Sequence, residues 1–245
     1  MADNYTPRYA FVIDPRRCID CRACLVACRA EWETPLGQTR IWVRDSGVLG
    51  EFPNLERQFI PFQCQHCENP WCVEACPTGA TFQREDGLVL IDEEACIGCG
   101  FCVEACPYHV RFINSETGKA DKCSGCFTRV DRGELPACVA TCIGGARMFG
   151  DINDPESEVS KAIRGRRVHR LITDQVDTGP MVFYLEEPLN PATVMPTPVS
   201  QPSAEAFWQK AAIPFVKAAI ALAFAGQMGA FIMQLIKGER EFDEM

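Results

Sequence analysis

Sixteen cysteines, arranged in four groups of four, constrain the fold of this 245-residue chain more than any other feature of its sequence. The first and third groups have the spacing C-x2-C-x2-C-x3-C, the second C-x2-C-x4-C-x3-C, and the fourth C-x2-C-x11-C-x3-C. No cysteine remains outside these groups. In chain order they are Cys18, Cys21, Cys24 and Cys28; Cys64, Cys67, Cys72 and Cys76; Cys96, Cys99, Cys102 and Cys106; and Cys123, Cys126, Cys138 and Cys142.

Cysteines at this density indicate either a disulfide framework or metal ligation. Disulfides fit poorly, because the chain is long and its cysteines lie in tight clusters instead of being spread over loops. Residues 1–15 lack the apolar segment of a secretory signal, and no apolar run follows Arg16-Arg17 or Arg166-Arg167, so neither pair is a twin-arginine signal. The groups therefore predict metal-bound thiolates.

The spacing favours iron–sulfur clusters over zinc. Three cysteines within seven residues can wrap three corners of a cubane, and the fourth ligand must then come from elsewhere in the chain. In two-cluster ferredoxins the C-x2-C-x2-C-x3-C-P run gives its last cysteine to the neighbouring cluster. Zinc remains the alternative, most of all for the fourth group, whose paired C-x2-C and C-x3-C units would fit a zinc ribbon in isolation.

Internal repeats support two ferredoxin-like units. Residues 72–82, CVEACPTGATF, nearly repeat as CVEACPYHVRF at 102–112, and FVIDPRRCIDC at 11–21 is echoed by VLIDEEACIGC at 89–99. Each echo places a short β-branched run before a ligand loop, and GATF, HVRF and GARMFG follow three of the groups, so strands are expected there. Two such modules make one ferredoxin, and four groups predict an α+β fold of two fused bacterial-type units, each with two [4Fe–4S] clusters.

The sequence resembles the four-cluster ferredoxin subunits of molybdopterin oxidoreductases, and most of all the polysulfide and thiosulfate reductase branch. The resemblance covers residues 8–187 and is carried by CQHCENPWCVEACPTGA at 64–80, DGLVLIDEEACIGCGFCVEACPY at 86–108 and DKCSGCFTRVDRGELPACVATC at 121–142, with GEFPNLERQFIPFQC at 50–64 pointing to that branch. The fourth group departs from the family by ending in TCIGGA, without proline, and the first by ending in ACRAEW.

The resemblance implies that groups one and four share one unit and groups two and three the other. Some relatives lack the second cysteine of the third group and carry a three-iron cluster; Cys99 is present here, so four [4Fe–4S] clusters are expected. The implied ligands are Cys18, Cys21, Cys24 and Cys142 for cluster one; Cys28, Cys123, Cys126 and Cys138 for cluster two; Cys64, Cys67, Cys72 and Cys106 for cluster three; and Cys76, Cys96, Cys99 and Cys102 for cluster four.

The C-terminal part differs in composition from the cysteine-rich part. After a four-cluster domain at 1–187, five prolines between 188 and 204 predict an extended linker. Residues 205–245 contain nineteen uncharged residues, 218–236, which predict a single transmembrane anchor helix. A helix buried against a soluble partner is the alternative. Basic residues are balanced at its two ends, so charge does not orient the segment.

Other residues carry weaker signals. The net charge of −9, without a basic stripe, argues against nucleic-acid binding. His66 is expected to pack near the site and not to ligate iron, since four cysteines already satisfy the cluster. Trp32 and Trp71 are expected in the core or against clusters. Lys122, Arg111 and Arg129 lie near ligand loops and could tune cluster potentials, although ordinary surface charge is the default expectation for each.

The cysteine pattern predicts an electron-carrying, non-catalytic subunit. The resemblance implies that it carries electrons between a molybdopterin (molybdenum or tungsten) catalytic subunit, acting on a sulfur compound, and a quinone-binding membrane subunit. By the resemblance, cluster one lies near the former and cluster four near the latter. The alternatives are an electron-transfer subunit of a membrane-bound hydrogenase or formate dehydrogenase, and a zinc scaffold without redox function. The resemblance implies the outer, periplasmic face of the cytoplasmic membrane, reached by export with a partner that bears the signal.

Overall fold

The computed structural model describes residues 5–173, 176–186, 222–223, 226–229 and 233. It divides into two compact units, 1–197 and 198–245. The first unit contains six helices among its described residues, α1 (Ala23–Trp32), α2 (Trp71–Glu74), α3 (Phe101–Glu104), α4 (Phe127–Val130), α5 (Ala137–Ala140) and α6 (Glu158–Ile163), and a 3-10 turn at Pro15–Arg17. Its strands are β1 (Tyr9–Ile13), β2 (Ile41–Asp45), β3 (Leu49–Glu51), β4 (Asn54–Glu56), β5 (Phe59–Gln63), β6 (Thr81–Gln83), β7 (Val89–Ile91), β8 (Phe112–Ile113), β9 (Ala120–Asp121), β10 (Arg147–Asp151), β11 (Val168–His169) and β12 (Val182–Leu185).

The largest sheet joins the start of the chain to its later part. Its order is β10-β1-β12-β11. Strand β1 pairs antiparallel with β10, with Phe11 opposite Phe149, and parallel with β12, with Phe11 opposite Val182. Four residues of β1, from Ala10 to Ile13, are buried, as expected for a central strand covered on both faces. This sheet places the first and fourth cysteine groups side by side.

Short helices carry the ligand loops into two pairs. Helix α1 of group one packs against α5 of group four, and α2 of group two packs against α3 of group three. Pro70 and Pro136 immediately precede α2 and α5, where a missing N–H costs nothing because the first turn of a helix leaves that group unbonded. The pairing of groups one with four and two with three is therefore present in the packing of the helices.

The small strands lie where the sequence predicts them. The runs before groups one and three form β1 and β7, while GATF, HVRF and GARMFG overlap β6, β8 and β10. Strand β6 pairs with β7, and β8 with β9, in two-stranded antiparallel ladders. The first ladder lies between groups two and three and the second between groups three and four, and they confirm the mixed α and β character of the fold.

A β-ribbon between groups one and two has no counterpart in the sequence prediction. Strands β2 and β5 pair antiparallel over five residues, and β3 and β4 form a hairpin beyond them. The ribbon base is buried at Ile41, Ile60 and Phe62, whereas Phe52 at the hairpin tip is 88% exposed. The ribbon thus anchors in the core and extends an apolar tip into solvent.

The C-terminal prediction falls largely outside the described residues. The linker at 188–204 lies wholly outside them, and of the expected membrane segment only 222–223, 226–229 and 233 are described, all helical and exposed. In the part of the chain that the structure describes, no helix has the length and apolar character needed to cross a membrane.

Candidate metal centres

Each group begins with a C-x-x-C loop that curls in the same way. The residue just before the second cysteine has a positive φ in all four loops: 52° at Asp20, 43° at His66, 69° at Gly98 and 68° at Gly125. A left-handed residue reverses the local direction of the chain. It allows the two cysteines that flank it to face a common centre.

The last two cysteines of each group are four residues apart, and the first of the two lies on a helix. Cys24 and Cys28 lie on α1, and Cys72, Cys102 and Cys138 lie on α2, α3 and α5, each followed four residues later by the last cysteine of its group. Side chains four residues apart leave the same helix face at different heights. Helix α1 can therefore present its two sulfurs to two different centres, whereas Cys76, Cys106 and Cys142 lie two residues beyond the ends of α2, α3 and α5.

Group one shows how the two sulfurs of α1 differ in their surroundings. Cys24 borders the cavity that Cys18, Cys21 and Cys142 line, and it interacts electrostatically with Cys138 as well as with Cys18 and Cys142. Cys28 interacts with Cys123, Cys138 and Cys126. Apart from Cys138, which lies near both sulfurs, these neighbours are the two sets that the family resemblance implies for clusters one and two.

Two cavities are lined by one complete set each. The first is lined by Cys64, Cys67, Cys72 and Cys106. The second is lined by Cys18, Cys21, Cys24 and Cys142. Cys28, Cys123, Cys126 and Cys138 line neither cavity but interact electrostatically around Cys28. In the fourth set, Cys96 and Cys102 are buried in one apolar cluster against which Cys76 packs, and Cys99 is half-buried nearby in sequence. The cavities thus bring together two complete sets, and the apolar cluster brings together three of the four members of the last.

The surroundings of the buried thiols are dry. Burial raises the pKa of Cys24 and of Cys106 to about 11 and that of Cys123 to about 12. Cys76 is different: burial acts to raise its pKa, but hydrogen bonds from Thr81 and Thr78 outweigh burial and lower the pKa to about 7. Thiolates gathered in dry cavities require positive charge in their midst, which iron ions supply when a cluster is bound.

Hydrogen bonds reach at least one sulfur of three sets. The Thr178 hydroxyl donates to Cys67 Sγ at 3.0 Å, and Trp32 Nε1 donates to Cys126 Sγ at 3.4 Å. Backbone N–H groups of Thr81 and Ala120 donate to Cys76 at 3.4 Å and Cys96 at 3.5 Å. Such bonds stabilise negative charge on sulfur and are one of the means by which a protein sets the potential of a cluster.

Three cations are buried among the thiols. Arg111, Lys122 and Arg147 are each no more than 3% exposed. The expectation of ordinary surface charge is therefore wrong for Arg111 and Lys122, whereas Arg129 is half-buried and pairs with Glu31 and Glu134.

The sequence prediction missed Arg147. The signal was available, because Arg147 follows Cys142 by five residues, as Arg111 follows Cys106.

His66 and the two tryptophans occupy the places expected of packing residues. His66 is 1% exposed, its Nδ1 accepts the Val89 N–H at 3.1 Å, and its ring stacks on Phe11. Burial and the neighbouring Lys122 hold the pKa of His66 well below its ordinary value, so the ring is neutral. Trp32 packs on the main core, and Trp71, 40% exposed, borders the cavity of Cys64.

All sixteen cysteines are free thiols, and within the described part of the chain no three His, Cys, Asp or Glu side chains stand close enough together to hold a single metal ion. The donor set of sixteen sulfurs in fours nevertheless fits four cubane clusters, each of which requires four thiolates.

Comparison with known proteins decides between iron–sulfur clusters and zinc. Two models of a "4Fe-4S dicluster domain" match the chain, at residues 17–80 and 55–152. A tetrathionate reductase subunit of Salmonella typhimurium is 46% identical over 205 residues, covering 83% of this chain and 80% of that protein. The chain belongs to this family of iron–sulfur electron-transfer subunits.

Other members of the family are similar over comparable lengths. The thiosulfate reductase electron transfer subunit PhsB of Salmonella typhi is 42% identical, covering 69% of this chain and 88% of that protein. A putative dimethyl sulfoxide reductase iron-sulfur subunit of Halobacterium salinarum is 37% identical, covering 75% and 80%. As a member of this family with two dicluster domains, the chain carries four [4Fe–4S] clusters and functions in electron transfer. The zinc alternative is thereby excluded.

Proposed function

We propose that this chain relays electrons along four clusters arranged in a line, between a molybdenum or tungsten catalytic subunit and a quinone-reactive membrane subunit. The observation that carries the proposal is at α1, where Cys24 borders the cavity of Cys18, Cys21 and Cys142 while Cys28 interacts with Cys123, Cys138 and Cys126. A helix whose two cysteines serve two clusters keeps those clusters close together, which shortens the electron-transfer step between them. The relatives are named as subunits of tetrathionate, thiosulfate and dimethyl sulfoxide reductases, which supports a catalytic partner that acts on a sulfur compound.

We assign the ligands in the four sets described above. Cluster one is held by Cys18, Cys21, Cys24 and Cys142; cluster two by Cys28, Cys123, Cys126 and Cys138; cluster three by Cys64, Cys67, Cys72 and Cys106; and cluster four by Cys76, Cys96, Cys99 and Cys102. When bound, each cluster takes up and releases one electron. The chain supplies the rest: it excludes water from the inner sulfurs, donates hydrogen bonds to the thiolates and fixes the spacing of the four centres.

The two ends of the line carry exposed apolar side chains. At the cluster-one end Ile19 is 61% and Ile143 76% exposed, beside the exposed Cys21. At the cluster-four end Ile97 is 66% and Phe101 58% exposed. Apolar side chains around a redox centre near the surface suit the close, dry docking that electron transfer between subunits requires. We propose that the first end docks on the catalytic subunit and the second on the membrane subunit.

We also propose that residues 188–204 form a spacer and 205–245 a membrane anchor, with the cluster domain on the outer face of the cytoplasmic membrane. The support is the density of prolines in the first segment and the nineteen uncharged residues at 218–236 in the second. Reporter fusions placed after residue 245, and protease treatment of intact cells, test the anchor and its orientation.

The experiment that tests the function is metal analysis of the complex purified in detergent through this subunit. Molybdenum or tungsten in the copurified catalytic subunit, with about sixteen irons per copy of this chain (four per cluster) plus any iron of the partner, is the expected result. Nickel in place of molybdenum would assign the chain to a hydrogenase instead. Recovery of the chain without any catalytic partner under conditions that preserve the clusters would contradict the proposal.

A further inference from the structure

We infer that one buried cation occupies each of the three gaps between neighbouring clusters, Arg147 in the first, Lys122 in the second and Arg111 in the third, and that each raises the reduction potentials of the two clusters beside it. The inference rests on the proposed ligand assignment. It extends that assignment from the cysteines to the residues that set the energy of each step along the line.

Arg147 lies between the first two sets. Its side chain borders the cavity lined by Cys24 and Cys142, which belong to set one. The same guanidinium interacts with Cys138 and Cys123, which belong to set two. It is 3% exposed and donates a hydrogen bond to the Gln63 side-chain oxygen. A neutral amide holds the group in place and leaves its charge in full.

Arg111 occupies the corresponding position in the ferredoxin-like unit that contains groups two and three. It borders the cavity of set three and also interacts with Cys102 of set four. Its Nη1 donates to the Thr81 hydroxyl at 3.1 Å. Both arginines follow the last cysteine of a group by five residues, so the repeat that duplicates the cluster loops also duplicates the cation.

Lys122 lies where the two ferredoxin-like units meet. Its Nζ donates to the backbone oxygen of Cys123, in set two, at 2.8 Å and also to that of Val89. It interacts with Cys64 and Cys72 of set three. Lys122 directly precedes Cys123, and the interaction of Cys123 with Cys64 shows that sets two and three meet here. The middle gap therefore contains a cation of a different type from the outer two.

The charge of Arg40 provides a contrast. Arg40 is also buried, but its Nη2 lies 2.6 Å from the Asp121 carboxylate, so the pair adds little net charge to its surroundings. For Lys122 and Arg147, no ion pair with a carboxylate is found among the described residues. A charge without a counter-charge in a dry interior acts over several ångströms with little screening. Such a cation favours the reduced state of both flanking clusters and weakens the repulsion between electrons on adjacent clusters.

The test is a redox titration of the full-length, cluster-loaded chain, followed by electron paramagnetic resonance, for Arg147→Met, Lys122→Met and Arg111→Met. Each variant should shift two of the four potentials downward by at least a tenfold change in the one-electron reduction equilibrium, or about 59 mV. The two signals that each variant shifts form a pair, and the pairs of variants in neighbouring gaps should have one signal in common. Lys122→Met shares one signal with Arg147→Met and another with Arg111→Met, while Arg147→Met and Arg111→Met share none. No prior assignment of signals is needed.

Control variants separate charge from packing. Arg147→Lys, Arg111→Lys and Lys122→Arg keep the charge and should restore the potentials to within about 20 mV, a twofold change in the equilibrium. Arg132→Met removes a cation that is 59% exposed and pairs with Glu134, and it should shift none of the signals. Gln63→Glu keeps Arg147 and its hydrogen bond but adds a counter-charge, so it should lower the same two potentials as Arg147→Met. It decides the first gap even if Arg147→Met does not accumulate.

Two results would overturn the inference: potentials that stay unchanged in variants loaded with four clusters, or shifts of all four signals together. Iron content distinguishes this failure from failure of the ligand assignment. If the wild-type chain holds four clusters whose potentials ignore these residues, only the role of the cations is lost. If the chain holds fewer than four clusters, the assignment itself is wrong.

Discussion

The hydroxyl of Thr178 donates a hydrogen bond of 3.0 Å to the sulfur of Cys67, across 111 residues of chain. The Tyr108 hydroxyl lies 3.0 Å from Thr178 Oγ1 and 3.0 Å from the Leu171 carbonyl oxygen. All of this is buried, and Thr178 is only 1% exposed. A segment that contains no cysteine therefore completes the surroundings of the third cluster.

Thr178→Val should lower the potential of one cluster by about 20–60 mV, because it removes a hydrogen bond with a net value of about 0.5–1.5 kcal/mol that strengthens when the sulfur gains negative charge. Thr178→Ser keeps the hydroxyl and is the matched control. The affected signal should be the one shifted by both Lys122→Met and Arg111→Met. An equal shift in the serine variant would contradict the role of the hydrogen bond.

Trp32→Phe should lower the potential of a different cluster, and by less, because the bond from Nε1 to Cys126 Sγ is longer, at 3.4 Å. Phenylalanine keeps an aromatic ring beneath Arg40, whose guanidinium carbon lies 4.6 Å from the Trp32 ring centre. Trp42→Phe, at a half-buried ring packed near Phe62, is the control and should leave the potentials unchanged. The same redox titration measures both variants. A shift in the cluster-three signal would exclude this explanation.

The ligand assignment predicts that two cysteines on one helix affect different clusters. Cys24→Ala should remove or convert cluster one and leave the signal of cluster two, and Cys28→Ala should do the reverse. In each case iron falls from about sixteen to about twelve or fifteen per chain, depending on whether a whole cluster or one iron is lost. Spectra of the two variants that lack the same signal would show that α1 serves one cluster only.

Gly98→Ala should destabilise the third ligand loop more than Gly100→Ala. Both glycines have positive φ, 69° and 82°, so each alanine has a backbone cost of about 1 kcal/mol. At Gly98 the added methyl would also overlap the carbonyl oxygen of Gly118, whereas at Gly100 it meets open space. The rate of cluster loss on heating, followed by visible absorbance, should rise clearly more for Gly98→Ala. Equal rates would show that the loop yields without cost.

The spacing of the cysteines and the internal repeats predicted most of the fold and of the ligand sets. The features that they did not predict depend on contacts between distant parts of the chain. The strands before Cys18 and Cys96 were predictable because β-branched residues precede each ligand loop. The ribbon formed by β2 and β5 was not, because its pairing depends on a partner some twenty residues away. The five-residue interval after the last cysteine could have identified Arg147. The burial of Lys122 could not be predicted, since it results from the packing of the two ferredoxin-like units around this side chain.

The largest sheet gives the protein an order of assembly. Groups two and three, with α2, α3, β6 and β7, are complete within about fifty consecutive residues. The entropic cost of closing their loops is therefore small, and they form early. Strand β1 emerges first during synthesis but has no partner until β10 and then β12 follow, more than 130 residues later. The N-terminal cysteines therefore lack their partner ligands while groups two and three fold. During that interval they are the sulfurs most open to oxygen and to the wrong metal.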